Sequence, residues 1–185
     1  KGYIDEELEQ LGTDYVDLLL FHHRCKTPAE TANVWKAFEE AKRSGKAKHI
    51  GVSNFNVHDL QTLQQTAELP IEVLEAHFGI GLMDFEVLAF AKQHNIHVAG
   101  FASTSEDRTD HPTFHPAVSQ VARSHGLSNV QVMYAYLNNW NVTFLSSCFH
   151  RDDPWKCMNY FGKDLEVFNH RLSADEMRTL DAVTA

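Results

Sequence analysis

The amino-acid sequence predicts an α/β protein with five parallel strands, each followed by helical structure. Short apolar runs alternate with amphipathic segments, and this order is typical of parallel strands joined by right-handed crossovers. The apolar runs are nearly continuous, as expected for strands covered on both faces. Two architectures fit the pattern: an open doubly wound sheet, or part of a closed (β/α) barrel. No GxGxxG or GxxxxGK[ST] motif follows a strand candidate, which weakens the open nucleotide-binding sheet.

The strand candidates are apolar runs that stand between turn and capping signals. They cover residues 15–21, 47–53, 71–77, 96–101 and 141–147. Helical periodicity fills most of the sequence between them. The helix candidates cover residues 27–45, 56–68, 84–95, 117–126, 128–139 and 173–183. A polar loop is predicted for 103–116, and a long irregular stretch around Pro154 precedes the last helix.

Capping signals mark the points where several helices begin. Thr27 is a good N-cap, Pro28 suits the first helical position and Glu30 completes a capping box. Gly45 is the expected C-cap of the same helix. The later cap candidates are Ser128, Ser173 and Glu176.

Composition and charge narrow the classes of function. The 185-residue chain is 43% hydrophobic and carries a formal net charge of −9, with a pI near 5.7. Nucleic acid is not expected as a partner, because phosphate binding needs clustered Lys and Arg. No apolar run approaches the length that spans a bilayer, so no transmembrane segment is predicted. The length suits a single domain over residues 1–185.

The first residues and the cysteines bear on processing and compartment. The chain begins without methionine in what reads as the first turn of a helix, so we expect a longer gene product, and organelle import stays open. The three cysteines, Cys25, Cys148 and Cys157, have no regular spacing. Reduced thiols in the cytoplasm or another reducing compartment therefore fit best.

Two histidines have a spacing that invites a metal-site interpretation. His111 and His115 stand four residues apart in HPTFH. Pro112 and the polar neighbours predict a loop rather than a helix at this point. Exposed loop histidines are therefore favoured over a metal site, and no metal ligand is predicted.

Two motifs in succession resemble the aldo-keto reductases. Residues 11–23 read LGTDYVDLLLFHH, and residues 45–55 read GKAKHIGVSNF. Further similar segments are 74–77, 90–102, 122–132 and 167–177. The resemblance implies a (β/α)8 TIM barrel, whose sites lie at the carboxyl ends of the strands. Because the chain matches strands 4–8 with their helices, we expect a partial barrel without the first three strands.

The resemblance implies site roles for four residues. His22 matches the catalytic histidine, which would orient or polarise a substrate carbonyl. Ser53 and Asn54 match the pair that hydrogen-bonds the nicotinamide carboxamide. Phe101 matches the tyrosine that stacks on the nicotinamide ring. The family's catalytic Asp, Tyr and Lys would lie in the missing strands, before Lys1.

Each of these assignments has a structural alternative. His22 also suits a strand-end histidine bonded to backbone, and Phe101 suits a core aromatic at the end of a strand. Ser53 and Asn54 also suit a polar turn. In that case Asn54 or Asn56 would be the N-cap of the following helix.

Departures from the family pattern concentrate where NADPH would bind. Val73 stands where the family has a glutamine that helps to hold the carboxamide. Ser146 stands where the family has a lysine that contacts the 2′-phosphate of NADP. Losing charge-assisted contacts of this kind costs about 1.5–3 kcal/mol per bond. NADPH binding is therefore expected to be weakened or absent.

The family's downstream arginine motif is not recognisable in residues 150–164. Arg151 or Lys156 would have to substitute for it. Asp152 and Asp153, which lie between them, would oppose a phosphate.

Together these features predict a catalytically degenerate relative that serves as a structural or regulatory subunit of a larger assembly. A protein partner, or the missing amino-terminal strands, would cover the open barrel edge, because unpaired strand edges are prone to association. The alternative is the carboxyl-terminal part of an active NAD(P)H-dependent reductase of aldehydes or ketones, whose Asp, Tyr and Lys precede Lys1.

Overall fold

The computed structural model describes residues 2–104, 111–148 and 153–183. Its strands are β1 (Val16–Phe21), β2 (Ala47–Ser53), β3 (Val73–His77), β4 (His97–Phe101) and β5 (Thr143–Phe144). They form a sheet in the order β1-β2-β3-β4-β5. Spatial order therefore equals chain order, whereas the order of a doubly wound sheet reverses at a switch point. This arrangement is the partial (β/α) barrel that the sequence predicts.

Helices follow the strands, most of them where the periodicity predicts. They are α1 (Tyr3–Leu11), α2 (Pro28–Arg43), α3 (Val57–Gln64), α4 (Phe85–Gln93), α5 (Pro116–His125), α6 (Asn129–Asn139), α7 (Pro154–Leu165) and α8 (Ala174–Asp181). Short 3₁₀ turns lie at Pro112–Phe114 and Glu166–Asn169. No helix in the described ranges combines the length and the apolar character that a membrane crossing requires.

The capping predictions are confirmed with one small correction. Thr27 caps α2 and forms the capping box with Glu30. Ser128 caps α6, and Ser173 with Glu176 forms the capping box of α8. The C-cap of α2 is Ser44 rather than Gly45, because Gly45 is the next residue and takes the left-handed conformation at φ 78°.

The described residues fall into two compact units. The first unit comprises residues 1–76 and 85–98, and the second comprises 77–84 and 99–185. In the first unit, the parallel pairing of β1, β2 and β3 surrounds a core that includes Trp35, Ile50 and Leu74. In the second unit, β4 pairs in parallel with β5, and the core includes Tyr136 and Leu180.

A close approach of two strands in the first unit depends on a glycine. A Cβ built on Gly51 of β2 would lie 2.4 Å from the carbonyl oxygen of Val73 in β3. That distance is far below van der Waals contact, so only glycine fits there without a backbone shift.

A buried carboxylate holds the segment between α3 and β3. Glu39 of α2 accepts backbone hydrogen bonds from Glu68 at 2.7 Å and from Leu69 at 2.9 Å. The Glu39 side chain is buried, so these bonds satisfy a group that would otherwise be costly to remove from water.

The second unit has a polar clamp between α6 and the last helix. The hydroxyl of Tyr136, a core residue of α6, donates a hydrogen bond to Asp181 Oδ1 at 2.7 Å. Burial, followed by this hydrogen bond, raises the pKa of Tyr136 far above its ordinary value. The phenol therefore stays protonated and keeps donating to the carboxylate of α8.

Three sequence predictions are wrong in the second unit. The stretch around Pro154, predicted to be irregular, is the helix α7, with Asp153 as its N-cap and proline in the first turn, a favoured pattern for the start of a helix. The last strand is only Thr143–Phe144. Cys148 and Cys157 form a disulfide, with their Cα atoms 5.5 Å apart, because α7 folds Cys157 back beside the segment after β5. Cys25 is a free thiol.

The two loop histidines have capping roles. His111 Nδ1 accepts from the backbone N–H of Thr113 at 3.2 Å and begins the 3₁₀ turn. His115 Nδ1 accepts from Ala117 and caps α5. His111 is buried, which corrects the expectation that both are exposed. Within the described ranges, no group of His, Cys, Asp or Glu side chains is arranged to hold a metal ion.

Candidate active site

A chain of hydrogen bonds links the carboxyl ends of β1, β2 and β3 in the first unit. Asn54 Nδ2 donates to the carbonyl oxygen of His22 at 3.1 Å and to Ser53 Oγ at 3.0 Å. The Ser53 hydroxyl donates in turn to Glu75 Oε1 at 3.2 Å. The backbone N–H of Asn54 donates to the carbonyl oxygen of Glu75 at 2.9 Å. Of the four predicted site residues, Ser53, Asn54 and the backbone of His22 therefore lie near one another.

Ser53 and Asn54 occupy different environments within this chain of bonds. Ser53 is 1% exposed and ends β2, opposite Glu75 in the parallel register. Asn54 has a φ of 61°, in the left-handed region that asparagine tolerates better than most residues. The chain thus turns at Asn54, and Asn56 rather than Asn54 caps the next helix by accepting from the N–H of Asp59.

His22 enters this network through its backbone. The described bond of Asn54 goes to the carbonyl oxygen of His22, while the imidazole lies on the exposed side, 4.1 Å from the ring of His23 between centroids. Arg24, two residues further along, forms an ion pair with Asp59 at 3.1 Å. The side chains of His23 and Arg24 border an open depression that reaches Asn54.

Phe101 ends β4 in the second unit. Its ring lies nearly parallel to the ring of His77, with 5.6 Å between centroids and 19° between planes. His77 Nε2 lies 3.0 Å from the carbonyl oxygen of Ala102, a distance at which a protonated Nε2 donates. Ala102 has a φ of 49°, an unusual value for alanine that turns the chain out of the strand. Phe101 is partly exposed, so it is not a fully buried core aromatic.

Ser146 and Asp164 form a pair elsewhere in the second unit. The Ser146 hydroxyl donates to Asp164 Oδ2 at 2.5 Å. Asp164 is a buried residue of α7, and burial raises the pKa of its carboxyl, while the bond from Ser146 lowers it. The position that the resemblance gives to a phosphate-binding lysine therefore holds a hydroxyl bonded to a carboxyl group.

Of the two basic residues proposed to substitute for the family's arginine motif, the structure describes one. Arg151, like Asp152, lies outside the described residues. Lys156 lies in the first turn of α7, where its backbone N–H donates to the capping Asp153 carboxylate at 3.1 Å. Asp153 therefore has a local role in beginning α7.

Glu75, His77 and Asp164 are not among the residues predicted for the site. The available signal for Glu75 was an acidic residue inside a run that otherwise reads as a buried strand, since a carboxylate there needs a partner. Asp164 had no such signal, because the surrounding stretch gave no strand or helix to place it in.

Comparison with known proteins identifies the family to which this chain belongs. The sequence profile of the Aldo/keto reductase family matches residues 3–185. The chain belongs to the aldo-keto reductase family. A crystal structure of an aldo-keto reductase from a Medee basin deep-sea metagenome library aligns over 97% of the chain and 64% of that protein, with a TM-score of 0.87 and 24% identity. This likeness supports the fold.

The relatives that this chain matches include two proteins named as reductases. The NADPH-dependent alpha-keto amide reductase of Saccharomyces cerevisiae is 29% identical over 175 residues, covering 88% of this chain and 55% of the yeast protein. The glyoxal reductase of Bacillus subtilis is 28% identical over 181 residues, covering 97% of this chain and 60% of the relative. This aldo-keto reductase chain thus spans about three fifths of the length of the relatives that it matches.

Proposed function

We propose that this chain is a catalytically degenerate aldo-keto reductase that serves as a structural or regulatory subunit of a larger assembly. The observation that carries the proposal is the bond from Ser146 to Asp164. A buried carboxyl group at this position is unfavourable for the 2′-phosphate of NADP. Its oxygens are hydrogen-bond acceptors, and they repel a phosphate when the group is ionised. The residues present do not fit NADPH at its phosphate end.

The carboxamide end supports the same proposal. Both hydrogens of the Asn54 amide go to groups of the chain, and the single proton of the Ser53 hydroxyl goes to Glu75. Val73, at the position of the family glutamine, has no polar side-chain atom to offer. A nicotinamide carboxamide would have to break existing bonds to gain new ones, which leaves little net free energy for binding.

One face of the Phe101 ring is also already covered. His77 covers one face of Phe101, so the aromatic ring that the resemblance places against the nicotinamide already has a stacking partner. The groups that the resemblance places against the nicotinamide therefore already have partners within their own unit.

The subunit role rests on the strands at the two ends of the sheet order. β1 is an end strand, and its Leu18 side chain is 40% exposed. Strand edges and apolar surface of this kind invite a partner. We propose that another polypeptide or a preceding segment covers these strand edges. The proposed compartment is the cytoplasm or a similar reducing compartment, where the Cys148–Cys157 disulfide would have to be protected from reduction.

A second candidate function has its own observation. The Asn54 amide contacts both Ser53 and the backbone carbonyl of His22, and these are three of the residues that the resemblance gives to a nicotinamide-dependent reductase. In this alternative the chain is the carboxyl-terminal part of an active NAD(P)H-dependent carbonyl reductase, and the Asp, Tyr and Lys lie in a segment before Lys1. Glyoxal and α-keto amides are then the first substrates to try, since they are named for relatives.

Native mass spectrometry and a turnover assay separate the two candidates. For the protein purified from its own cells, we expect a complex of defined mass and no NADPH oxidation with glyoxal. A lone stable monomer of 21.1 kDa would contradict the subunit role. NADPH-dependent turnover that is lost in a His22→Ala variant and kept in a His23→Ala control would establish the enzyme instead.

A further inference from the structure

Two bonds join the segment after β5 to helix α7 (Pro154–Leu165). The Ser146 hydroxyl donates to Asp164 Oδ2 at 2.5 Å, and Cys148 forms the disulfide with Cys157. Cys157 ends the first turn of the helix, whereas Asp164 lies in its last turn. The disulfide therefore holds the amino-terminal end of α7, and the hydrogen bond holds the carboxyl-terminal end.

Most side chains of α7 are exposed. Cys157 is half-buried and Asp164 is buried, and every other residue of the helix is exposed. Burial of an apolar face, which stabilises most helices in a folded domain, therefore contributes little to the attachment of α7 within the second unit. The covalent bond at Cys157 is the strongest attachment of its amino-terminal turn.

The carboxyl-terminal end of α7 has attachments that do not involve sulfur. Gln131 of α6 is buried, and its Nε2 donates to the carbonyl oxygen of Lys163 at 2.8 Å and to Glu166 Oε2 at 3.3 Å. The bond from Ser146 to Asp164 lies at the same end. Opening the disulfide breaks none of these hydrogen bonds, so this end of the helix has its own support.

The cap of α7 acts within the helix itself. Asp153 accepts a hydrogen bond from the backbone N–H of Lys156 at 3.1 Å. A cap of this kind helps a helix to begin but does not attach it to a neighbouring element. Because isolated helices shorter than about 12–15 residues are marginal in water, the amino-terminal turn should fray once Cys157 is released.

The disulfide is within reach of a reductant. Cys148 and Cys157 are both half-buried, and thiol–disulfide exchange requires only that an attacking thiolate reach one of the two sulfurs. Cys25, the third cysteine of the chain, is a free thiol of the first unit. Opening the disulfide therefore raises the number of thiols from one to three.

We propose that the Cys148–Cys157 disulfide is a redox switch for the amino-terminal part of α7. A thiolate of an external dithiol attacks one sulfur, the S–S bond breaks and a mixed disulfide forms. The second thiol of the reductant then displaces the chain. The chain gains two electrons and two protons as two thiols, and the dithiol becomes a disulfide. Reduction releases residues 154–160 from the segment after β5, while Asp164 and Gln131 keep the other end in place.

The switch connects the conformation of α7 to the surroundings of the chain. In a reducing compartment, an unprotected disulfide would be open in the resting state and would close on oxidation. Cys148 lies two residues beyond Ser146, so the change alters the surface beside the position that the resemblance gives to a phosphate-binding lysine. This device does not depend on whether the chain is catalytically degenerate.

Hydrogen exchange of the oxidised protein and of the protein reduced with dithiothreitol tests the switch. Reduction should speed exchange in residues 154–160 about tenfold or more, because the disulfide constrains the loop that it closes. Exchange in α6 (Asn129–Asn139) should change by less than about twofold, since its bonds stay intact. Iodoacetamide labelling should count one thiol before reduction and three after it. Replacing dithiothreitol with oxidised glutathione should restore the slow exchange and the single thiol.

Two variants separate the disulfide from other effects of the reductant. Cys148→Ser removes the bond without changing the sequence of α7, and it should exchange fast in residues 154–160 with or without dithiothreitol. Cys25→Ser is the matched control and should respond as the parent does.

Three results would overturn the switch. Unchanged exchange in residues 154–160 on reduction would show that other contacts hold the helix. Fast exchange throughout the second unit would show that the disulfide is a general structural link instead of a local switch. A disulfide that does not form again in oxidised glutathione would show that the change is not reversible.

Discussion

The Ser146 hydroxyl donates a 2.5 Å hydrogen bond to the buried Asp164 carboxyl, and this bond joins the segment after β5 to α7. The pair occupies the place where the family resemblance puts a lysine and a phosphate. Under the proposed function, a bond that ties the segment after β5 to α7 stands where the resemblance would place a bond to the cofactor. The replacement makes the stability of α7 depend on the protonation of one carboxyl group.

That dependence gives a pH prediction. Burial raises the pKa of Asp164 above its ordinary 3.8, so the folded chain holds this proton more tightly than the unfolded chain does. The contribution of Asp164 to stability is therefore present below the ordinary pKa and is lost as pH rises through the folded pKa. Asp164→Asn, which keeps an acceptor for Ser146 without a charge, should flatten this decline and stabilise the protein at neutral pH. Urea unfolding across the acidic range measures it, and an unchanged slope would contradict the burial of this charge.

Glu39 is predicted to be a strong determinant of stability in the first unit. Glu39→Ala leaves the backbone N–H groups of Glu68 and Leu69 without their acceptor, and each lost hydrogen bond contributes about 0.5–1.5 kcal/mol. Glu39→Gln should lose less, because its amide oxygen still accepts. Glu40→Ala, on the exposed side of the same helix, is the control and should change the free energy of unfolding by less than about 0.5 kcal/mol. Equal effects of Glu39→Ala and the control would show that these bonds are not needed.

Two glycine substitutions should change the free energy of unfolding in opposite directions. Gly51→Ala places a Cβ 2.4 Å from the carbonyl oxygen of Val73 and forces β2 and β3 apart, at a cost of about 1–3 kcal/mol or more. Gly162→Ala in α7 meets no atom within 4 Å and removes a helix-interior glycine, so it should stabilise by about 0.5–1 kcal/mol. Thermal unfolding of the two variants measures the difference. A Gly51→Ala protein as stable as the parent would contradict the close strand approach.

Tyr136 is predicted to anchor the last helix. Tyr136→Phe removes the hydroxyl that donates to Asp181, and a hydrogen bond to a charged group contributes about 1.5–3 kcal/mol. Hydrogen exchange should become faster in α8 (Ala174–Asp181), because this bond ties α8 to α6. Asp181→Asn keeps an acceptor and should show a smaller change. Uniform exchange across parent and variant would mean that packing alone holds α8.

The parts of the fold that the sequence predicts are those with strong local signals. The capping boxes at Thr27 and Ser173 and the apolar run of β2 agree with the structure, because caps and buried strands leave residue types that no other element favours. The strand predicted over 141–147 contains β5 but is too long, and α7 was not predicted, both for the opposite reason. β5 has only two residues, and α7 leaves Trp155, Met158 and Leu165 exposed, so neither has the apolar pattern of a buried element.

The candidate site was predictable only as far as the family motif reaches. His22, Ser53 and Asn54 lie near one another because consecutive parallel strands end at the same edge of the sheet. Their partner Glu75 belongs to the next strand, and its contact with Ser53 depends on register. The Ser146–Asp164 pair and the Cys148–Cys157 disulfide depend on how α7 folds back, which no local pattern encodes.

Isothermal titration calorimetry with NADPH tests the central claim most directly. We predict no binding tighter than a Kd of about 1 mM, or −4.1 kcal/mol, for the parent chain in its native assembly. Ser146→Lys combined with Asp164→Asn should gain affinity for NADPH over NADH, while Ser147→Lys, the adjacent exposed control, should not. Micromolar binding of NADPH by the parent assembly would contradict the account, because Ser146 and Asp164 would then coexist with a phosphate that they are argued to exclude.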